Sequence, residues 1–429
     1  MIFSLDVRRA RKGDCLLLHF GSADQPGLAM IDGGPKAVYG PHLRPRLLEI
    51  RKARKLGDDK PLPVDVLMVS HVDDDHIQGI LDLTREMTEA AAAPLIRPGS
   101  LWHNSYDEII GRNPKELTAA VAAQFGAASL EGELPDEATV DAGHEDEEVV
   151  VASLKVLASI GQGHQLRGDA DKLGFSLNPE FNGGLILATE GELSVAEGLT
   201  FTVAGPMKPE MLEMQKKHDE WLAEQKKNAA ASAPAALAAY VDKSVPNLSS
   251  IVVLAKFGDK RILLTGDARG DKILEGLELV GLLKAGGTVH VDVLKVPHHG
   301  SSNNLDVDFF ERIRADHYVI SGNGENGNPE REALEMLFTA RGEEPFQLHL
   351  TYPIEEIDVA REQDWKKEQA KEKKRQAAGS TKELREDWSA AKHSLAAFFE
   401  DRKLANGQAI AIVETNKPHV IDLLDRLGY

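Results

Sequence analysis

The stretch Val64-Asp65-Val66-Leu67-Met68-Val69-Ser70-His71-Val72-Asp73-Asp74-Asp75-His76 runs from an apolar segment straight into two imidazoles and three carboxylates. Its first half reads as a buried strand, since Val, Leu and Met dominate it and Pro63 and a polar cluster bound it. If the chain then turns from strand into helix, His71, Asp73, Asp75 and His76 can converge. Neutral imidazole with carboxylate suits a divalent transition metal, and a bound cation offsets the cost of burying several carboxylates together. A solvated acidic loop is the alternative, yet two histidines bracketing three aspartates are unusual for one. An EF-hand calcium loop requires a central Gly and a twelfth-position Glu, whereas the twelfth residue from His71 is Asp82.

Outward from this stretch, short apolar runs bounded by Gly or Pro predict strands at 2–7, 15–20 and 28–31 as well as 64–69, with covering helices at 39–56 and 77–92. The second half repeats the style, with strands at 200–204, 250–256, 261–264, 288–296, 317–320 and 347–351 and helices at 271–283, 308–314 and 330–340. Two strand-rich halves, each with helices, imply a layered α/β fold whose sheets meet in the middle. We read residues 1–429 as one such domain with three excursions. Residues 131–148 are acidic and poor in apolar side chains, which predicts an exposed loop. Residues 209–239 and 362–403 read as charged helical insertions, either solvated helix pairs or a surface for a protein partner. The tail, 408–429, reads as a strand followed by a short helix.

Composition narrows the function. The 429 residues suffice for a large core, and the single Cys15 excludes a disulfide framework or a multi-thiolate zinc site. A lone thiol, no signal-peptide pattern at the N-terminus and no apolar run of about eighteen residues predict a cytoplasmic chain that does not span a membrane. The net charge of −19 argues against a broad nucleic-acid surface, although bound divalent ions can reverse the field at a site.

Two further segments end strands on ligand chemistry. Arg261-Ile262-Leu263-Leu264-Thr265-Gly266-Asp267 places a carboxylate able to bridge two ions after a glycine that permits a tight turn. Val293-Leu294-Lys295-Val296-Pro297-His298-His299-Gly300-Ser301-Ser302 ends on paired histidines. Adjacent side chains diverge, so one imidazole suits metal and the other suits substrate contact or proton donation. Asp32, in Ile31-Asp32-Gly33-Gly34, suits an outer role, orienting a ligand imidazole or a water, with a helix cap or Asx turn as the alternative.

Together, His71-x-Asp73-x-Asp75-His76, Thr265-Gly266-Asp267 and Leu294-Lys295-x-x-His298-His299-Gly300-Ser301 resemble the metallo-β-lactamase-fold hydrolases. The branch they most resemble is the soluble hydrolase domain of the ComEC/Rec2 competence proteins, which Gly13-Asp14-Cys15-Leu16-Leu17-Leu18 and Asp32-Gly33-Gly34 also match. The resemblance spans residues 13 to 330, without the insertions or tail. It implies an αββα four-layer sandwich and two divalent ions, zinc or manganese. It assigns His71 and Asp73 to one ion and Asp75, His76 and His299 to the other, with Asp267 bridging and His298 facing substrate, or His298 and His299 exchanged.

Two departures from the family pattern matter. Many relatives carry His where this chain has Asp73, which makes that site harder and favours manganese over zinc. The segment before Asp267 reads Pro246-Asn247-Leu248-Ser249-Ser250 and lacks the histidine usual in the family. The implied activity is phosphodiester hydrolysis, on a nucleotide or single-stranded nucleic acid, with Asp75, His298 and Asp32 as catalytic residues. His298, Ser301, Ser302 and Asn247 are the candidate substrate contacts. Hydrolysis of a lactone, amide or thioester, and a metal-containing regulatory or partner-binding role, are the competing readings.

Overall fold

The computed structural model describes all residues except 58, 90–92, 106–108, 110–160, 213–215, 217–248, 378, 380, 382, 403 and 415–416. The acidic stretch 131–148, most of the 209–239 insertion and Asn247 therefore lie outside the described residues. Among the described residues fourteen strands form two sheets. The first holds β1 (Ile2–Val7), β2 (Leu16–Gly21), β3 (Pro26–Ile31), β4 (Leu62–Met68), β5 (Ile96–Trp102) and β14 (His419–Asp422), in the order β14-β1-β2-β3-β4-β5. The second holds β6 (Leu193–Ala196), β7 (Leu199–Gly205), β8 (Val252–Phe257), β9 (Lys260–Leu264), β10 (Val289–Lys295), β11 (Ile313–Ile320), β12 (Phe346–Leu350) and β13 (Gln408–Ile412). Their order runs β13-β12-β11-β10-β9-β8-β7-β6.

Strand alternation sorts the apolar side chains onto two faces. Along β2, Leu16, Leu18 and Phe20 join the cluster between the sheets, whereas Leu17 joins the cluster beneath the helices. Phe3 and Leu5 of the first sheet meet Phe201, Val253, Ile262 and Val293 of the second in that central cluster. Rings seal it across the gap, with Phe3 stacked on Phe257 at 5.7 Å and Trp102 edge-on to Phe201 at 5.5 Å. Each such buried side chain contributes about 1.5–3 kcal/mol.

Helices cover both outer faces. On the first sheet, α1 (Arg44–Ala53) and α2 (Asp74–Glu89) bury Leu47, Ile50, Ile77, Ile80 and Leu83 against Leu17, Met30, Leu67 and Val69. On the second, α3 (Gly270–Leu279), α4 (Val307–Arg312) and α5 (Arg331–Arg341) bury Ile273, Leu277, Phe309, Leu334 and Leu337 against Leu263, Val291 and Leu294. Further along, α6 (Ile354–Ala377) and α7 (Leu395–Asp401) form the charged excursion, which begins ahead of residue 362. Few residues of α6 are buried, Ile357, Arg361 and Gln369, whereas α7 places Leu395 and Phe398 in the core of the second sheet's outer face. Among the described residues no helix is long and apolar enough to cross a membrane.

The tail differs from its sequence reading. After β13 the chain forms β14 rather than a helix, because the outer edge of β1 takes up His419-Val420-Ile421-Asp422 as an antiparallel partner and Ile421 enters the central cluster. Strand β5 was unforeseen because Pro98 and Gly99 interrupt its apolar run. As an edge strand it tolerates them.

Parallel pairing is what positions the site. The β3/β4 pair and the β9/β10 pair are each parallel, so the loops that follow them leave at the same end of the fold. Ile251 N–H donates to the Ser70 carbonyl at 2.7 Å, tying the loop after β4 to the segment before β8.

A chain of histidines joins the sheets at another place: His317 Nδ1 lies 3.0 Å from His349 Nε2, and His349 Nδ1 lies 2.8 Å from His419 Nε2. Burial pushes all three below the ordinary imidazole range of 6.5, and the flanking rings help drive His349 to about 2. The unfolded chain therefore binds more protons in acid, so this contribution is complete above about pH 6.5 and is lost as pH falls toward the folded values. In chelator-treated protein, the urea midpoint should drop between about pH 7 and about pH 5, His349 alone accounting for at most about 2 kcal/mol. His349→Gln should flatten that dependence; an unchanged dependence would contradict the account.

Candidate metal centre

Five segments meet at the sheet ends. Asp14 comes from the β1–β2 connection, Asp32 from the end of β3, and His71 through His76 from the passage of β4 into α2. Asp267 follows β9, and His298 and His299 follow β10. Two glycines let α2 approach: a Cβ at Gly79 would lie 1.9 Å from the Gly33 carbonyl oxygen, and one at Gly33 would lie 2.5 Å from the Ile80 nitrogen. The contact carries hydrogen bonds from Gly33 N–H to His76 O and from Gly79 N–H to Gly34 O, each 2.8 Å. Asp32, His298 and His299 hold left-handed backbone, with φ of 58°, 46° and 54°. Such strain in non-glycine residues concentrates where surrounding structure over-determines the geometry, as at functional sites.

Distances define the cluster. His76 Nε2 lies 3.3 Å from Asp267 Oδ1, His299 Nε2 3.4 Å from Asp267 Oδ2, and His71 Nε2 4.0 Å from Asp267 Oδ2. Asp75 closes the other side, with its oxygens 4.0 Å from His76 Nε2 and from His299 Nε2. Ligand-capable atoms of His71, His76 and Asp267 form one convergent group, and those of Asp75, His76 and His299 form another. Behind His76, Asp32 lies 2.8 Å from Nδ1 and accepts from the Ser70 N–H and hydroxyl, each at 2.7 Å. Asp32 thus stands on the Nδ1 side of His76, away from Asp267.

Several of these atoms are orphans: His71 Nε2, His76 Nε2, His299 Nε2 and Asp267 Oδ1 are buried without a hydrogen-bond partner. Each such atom costs roughly 1–3 kcal/mol if left so, and four aimed into one place describe a socket for a cation. The donor set is imidazole nitrogen and carboxylate oxygen, which fits divalent zinc or manganese. The thiol is elsewhere, since Cys15 packs in the apolar cluster under α1 and α2.

Electrostatics follow from burial and proximity. Burial, with His76 beside it, drives His71 down to about 3, so it stands neutral and able to offer a lone pair. Burial works against the His76 imidazolium, but the Asp267 and Asp32 carboxylates outweigh it and hold that group well above its ordinary value. Burial likewise opposes ionisation of Asp267, and His299, His76 and His298 overcome it, keeping the carboxyl well below the usual range.

Not every residue read from the sequence joins the cluster. Asp73 is half-buried and outside the convergent groups; its Oδ1 accepts the Asp74 N–H at 2.9 Å because the helix begins there. Asp74 turns away and takes a hydrogen bond from Gln162 Nε2 at 3.1 Å. His298 is partly exposed, with Nε2 3.9 Å from Asp267 Oδ2 and Nδ1 2.8 Å from the Asn304 amide nitrogen. Ser301 and Ser302 shape the loop, Ser301 N–H donating to His298 O at 2.9 Å and Ser302 N–H to Glu330 at 2.6 Å. Asn328 Nδ2 reaches His298 O at 3.4 Å, and Arg361 of α6 donates to Gly327 O at 3.1 Å, so the root of the insertion braces the histidine loop.

Sequence reading missed Asp14 and Lys295 as site residues. Lys295, 1% exposed, pairs with Asp14, donates to Gly266 O at 3.0 Å and stands 3.7 Å from Asp267 Oδ1. The available signal was a lysine inside the apolar run of a buried strand, since lysine is almost never fully buried unless paired.

No family model matches the chain. Sequence likeness to microtubule-associated protein 1A is confined to a short stretch. The Homo sapiens protein is 39% identical over 80 residues, 18% of this chain and 3% of that protein. The Rattus norvegicus protein is 38% identical over 97 residues, 20% of this chain and 4% of that one. The match thus spans only a small fraction of the length of these curated relatives. A Parabacteroides distasonis structure, described provisionally as a metal-dependent hydrolase, aligns over 80% of this chain and 97% of that one, with TM-score 0.30 and 8% identity. That likeness is too distant to carry an argument.

The glycine contact supplies a test of how the cluster is held. Gly79→Ala should destabilise the protein by about 1–3 kcal/mol or more and reduce metal uptake, read by thermal unfolding and elemental analysis. Full metal content in a normally stable variant would show that the approach of α2 is not what sets the site.

Proposed function

We propose that the chain is a metal-dependent hydrolase with the αββα sandwich of the metallo-β-lactamase fold, acting on phosphodiester bonds. The observation that carries the reading is the convergence of four buried, unpartnered ligand atoms, from His71, His76, His299 and Asp267, on the ends of strands from both sheets. In this reading His71 and Asp267 would hold one divalent ion, and Asp75, His76 and His299, with Asp267, would hold a second. Asp73 stays at the rim. Divalent ions held there supply Lewis acidity and make water acidic enough to act as a nucleophile near neutral pH.

The chain's own residues divide the remaining work. Asp32 and Ser70 fix the His76 ring so that Nε2 faces inward. The Asn304 amide donates to His298 Nδ1, which leaves the proton on Nε2, the atom directed at the site. In this reading His298 donates a hydrogen bond from Nε2 to a substrate oxygen, and His299 is the ligand. Ser301 and Ser302 border the same mouth. A phosphodiester is favoured by the resemblance of the motifs to the competence-protein hydrolases, and the net charge of −19 favours a nucleotide or single strand over duplex.

The test is turnover by zinc- or manganese-loaded protein on bis(p-nitrophenyl) phosphate, single-stranded DNA, duplex DNA, a lactone and a β-lactam. Phosphodiester turnover should dominate. Asp267→Ala should lose metal and activity together, whereas Asp74→Ala should keep both. His298→Gln should keep its metal and lose about 10²–10⁴-fold in kcat. Faster lactone or β-lactam turnover, or metal-loaded protein inert toward every phosphodiester, would overturn the assignment.

A further inference from the structure

Two carboxylates stand behind the ligand imidazoles, and only one of them is engaged. Asp32 is bonded to His76 Nδ1 and held in turn by Ser70. Asp14 stands in the corresponding place behind His299: its Oδ1 is 3.8 Å from His299 Nδ1, and its Oδ2 is 3.8 Å from His76 Nδ1. Both members of the first pair, Asp14 Oδ1 and His299 Nδ1, are buried without a hydrogen-bond partner. Two facing orphans, one able to donate and one able to accept, are a hydrogen bond short by less than an ångström or so of movement.

Asp14 is placed with care. Its N–H bonds Asp75 O at 3.3 Å, and a Cβ on neighbouring Gly13 would lie 1.8 Å from that same carbonyl oxygen, so the segment lies flat against the start of α2. Its other oxygen is taken by the Lys295 ammonium, which Gly266 O fixes from the far side at 3.0 Å.

We propose that Asp14 is the positioning residue for His299: its carboxylate, anchored by Lys295, accepts the Nδ1 proton and thereby keeps the Nε2 lone pair turned into the metal centre. The arrangement parallels Ser70, Asp32 and His76, with an anchor, a carboxylate and a ligand imidazole on each side, the Asp14 contact standing at 3.8 Å where that of Asp32 is 2.8 Å. Carboxylate partners of this kind fix the tautomer and orientation of ligating histidines, and their loss typically costs about 10–100-fold in metal affinity. The arrangement also separates the adjacent histidines. His299 is served by an acceptor at Nδ1, as a ligand requires, whereas His298 is served there by an amide donor. This inference rests on the metal-centre reading above.

The competing explanation is that Asp14 serves only as counter-ion to Lys295, and the two predict opposite signs. Zinc affinity is compared between Lys295→Met, which leaves Asp14 in place, and Lys295→Met combined with Asp14→Leu. If Asp14 positions His299, the double variant binds zinc about 10–100-fold more weakly than the single one, and its cobalt-substituted absorption spectrum shifts. Equal or tighter binding by the double variant, which no longer buries an unpaired carboxylate, overturns the proposal. Should either variant fail to fold, a crystal structure of zinc-loaded wild-type protein decides. Nδ1 of His299 and Oδ1 of Asp14 should lie at a hydrogen-bonding separation of roughly 2.7–3.2 Å, and a separation remaining at 3.8 Å rules the interaction out. Wild-type protein that takes up no zinc at all would instead defeat the metal-centre reading.

Discussion

Everything at the sheet ends depends on the Asp32 carboxylate. One of its oxygens accepts the Ser70 N–H and the other accepts the Ser70 hydroxyl and faces His76 Nδ1, so three short contacts lock the end of β3 to the passage from β4 into α2. The knot closes only because Gly33 and Gly79 let the helix come within backbone contact of the strand end. Asp32 accepts a left-handed backbone to reach it. Burial raises its carboxyl above the usual range, and the His76 ring offsets that rise only in part.

Around this knot the charge balance explains why the cluster calls for a cation. Asp14, Asp32, Asp75 and Asp267 share a small buried volume, and Lys295 is the lysine paired within it. Burial disfavours the Lys295 ammonium, and Asp14 and Asp267 reverse that preference, so it remains charged. Lys295 and the His76 imidazolium together leave the four carboxylates incompletely balanced, an excess that hydrogen bonds alone do not settle. Divalent ions bound there would settle it, and the unpartnered imidazole nitrogens lie where such ions would meet them.

Much of this was legible in the sequence, for identifiable reasons. Strands that alternate cleanly or run apolar without a break, such as β2 and β10, announce themselves through burial on fixed faces. His71, Asp75, His76, Asp267 and His299 were legible because each follows such a strand, and parallel neighbours deliver their trailing loops to one end. Asp73 stands outside the convergent groups, because alternate spacing in a sequence does not foretell where the helix begins, and its carboxylate accepts the first amide of α2. Asp14 and Lys295 were harder to assign for another reason: each stands in a recognisable stretch, but the pairing that gives them a place at the site spans hundreds of residues. The C-terminal strand was equally invisible, since what makes it a strand is the open edge of β1.

The adjacent histidines show how one loop can supply two chemistries. His298 and His299 both sit in left-handed backbone after Pro297, which turns their side chains apart: His299 is buried against Asp267, while His298 remains partly open. That strained turn is not self-supporting. Asn328 holds the His298 carbonyl, the turn carrying Asn328 is gripped by Arg361, and Arg361 in turn bonds His393 O at 2.6 Å on the far side of the excursion. The charged helix α6 is therefore poorly explained as a detached appendage. Its root is part of the scaffold that keeps the two imidazoles diverging, which places an element with little apolar surface under the same constraint as the ligands themselves.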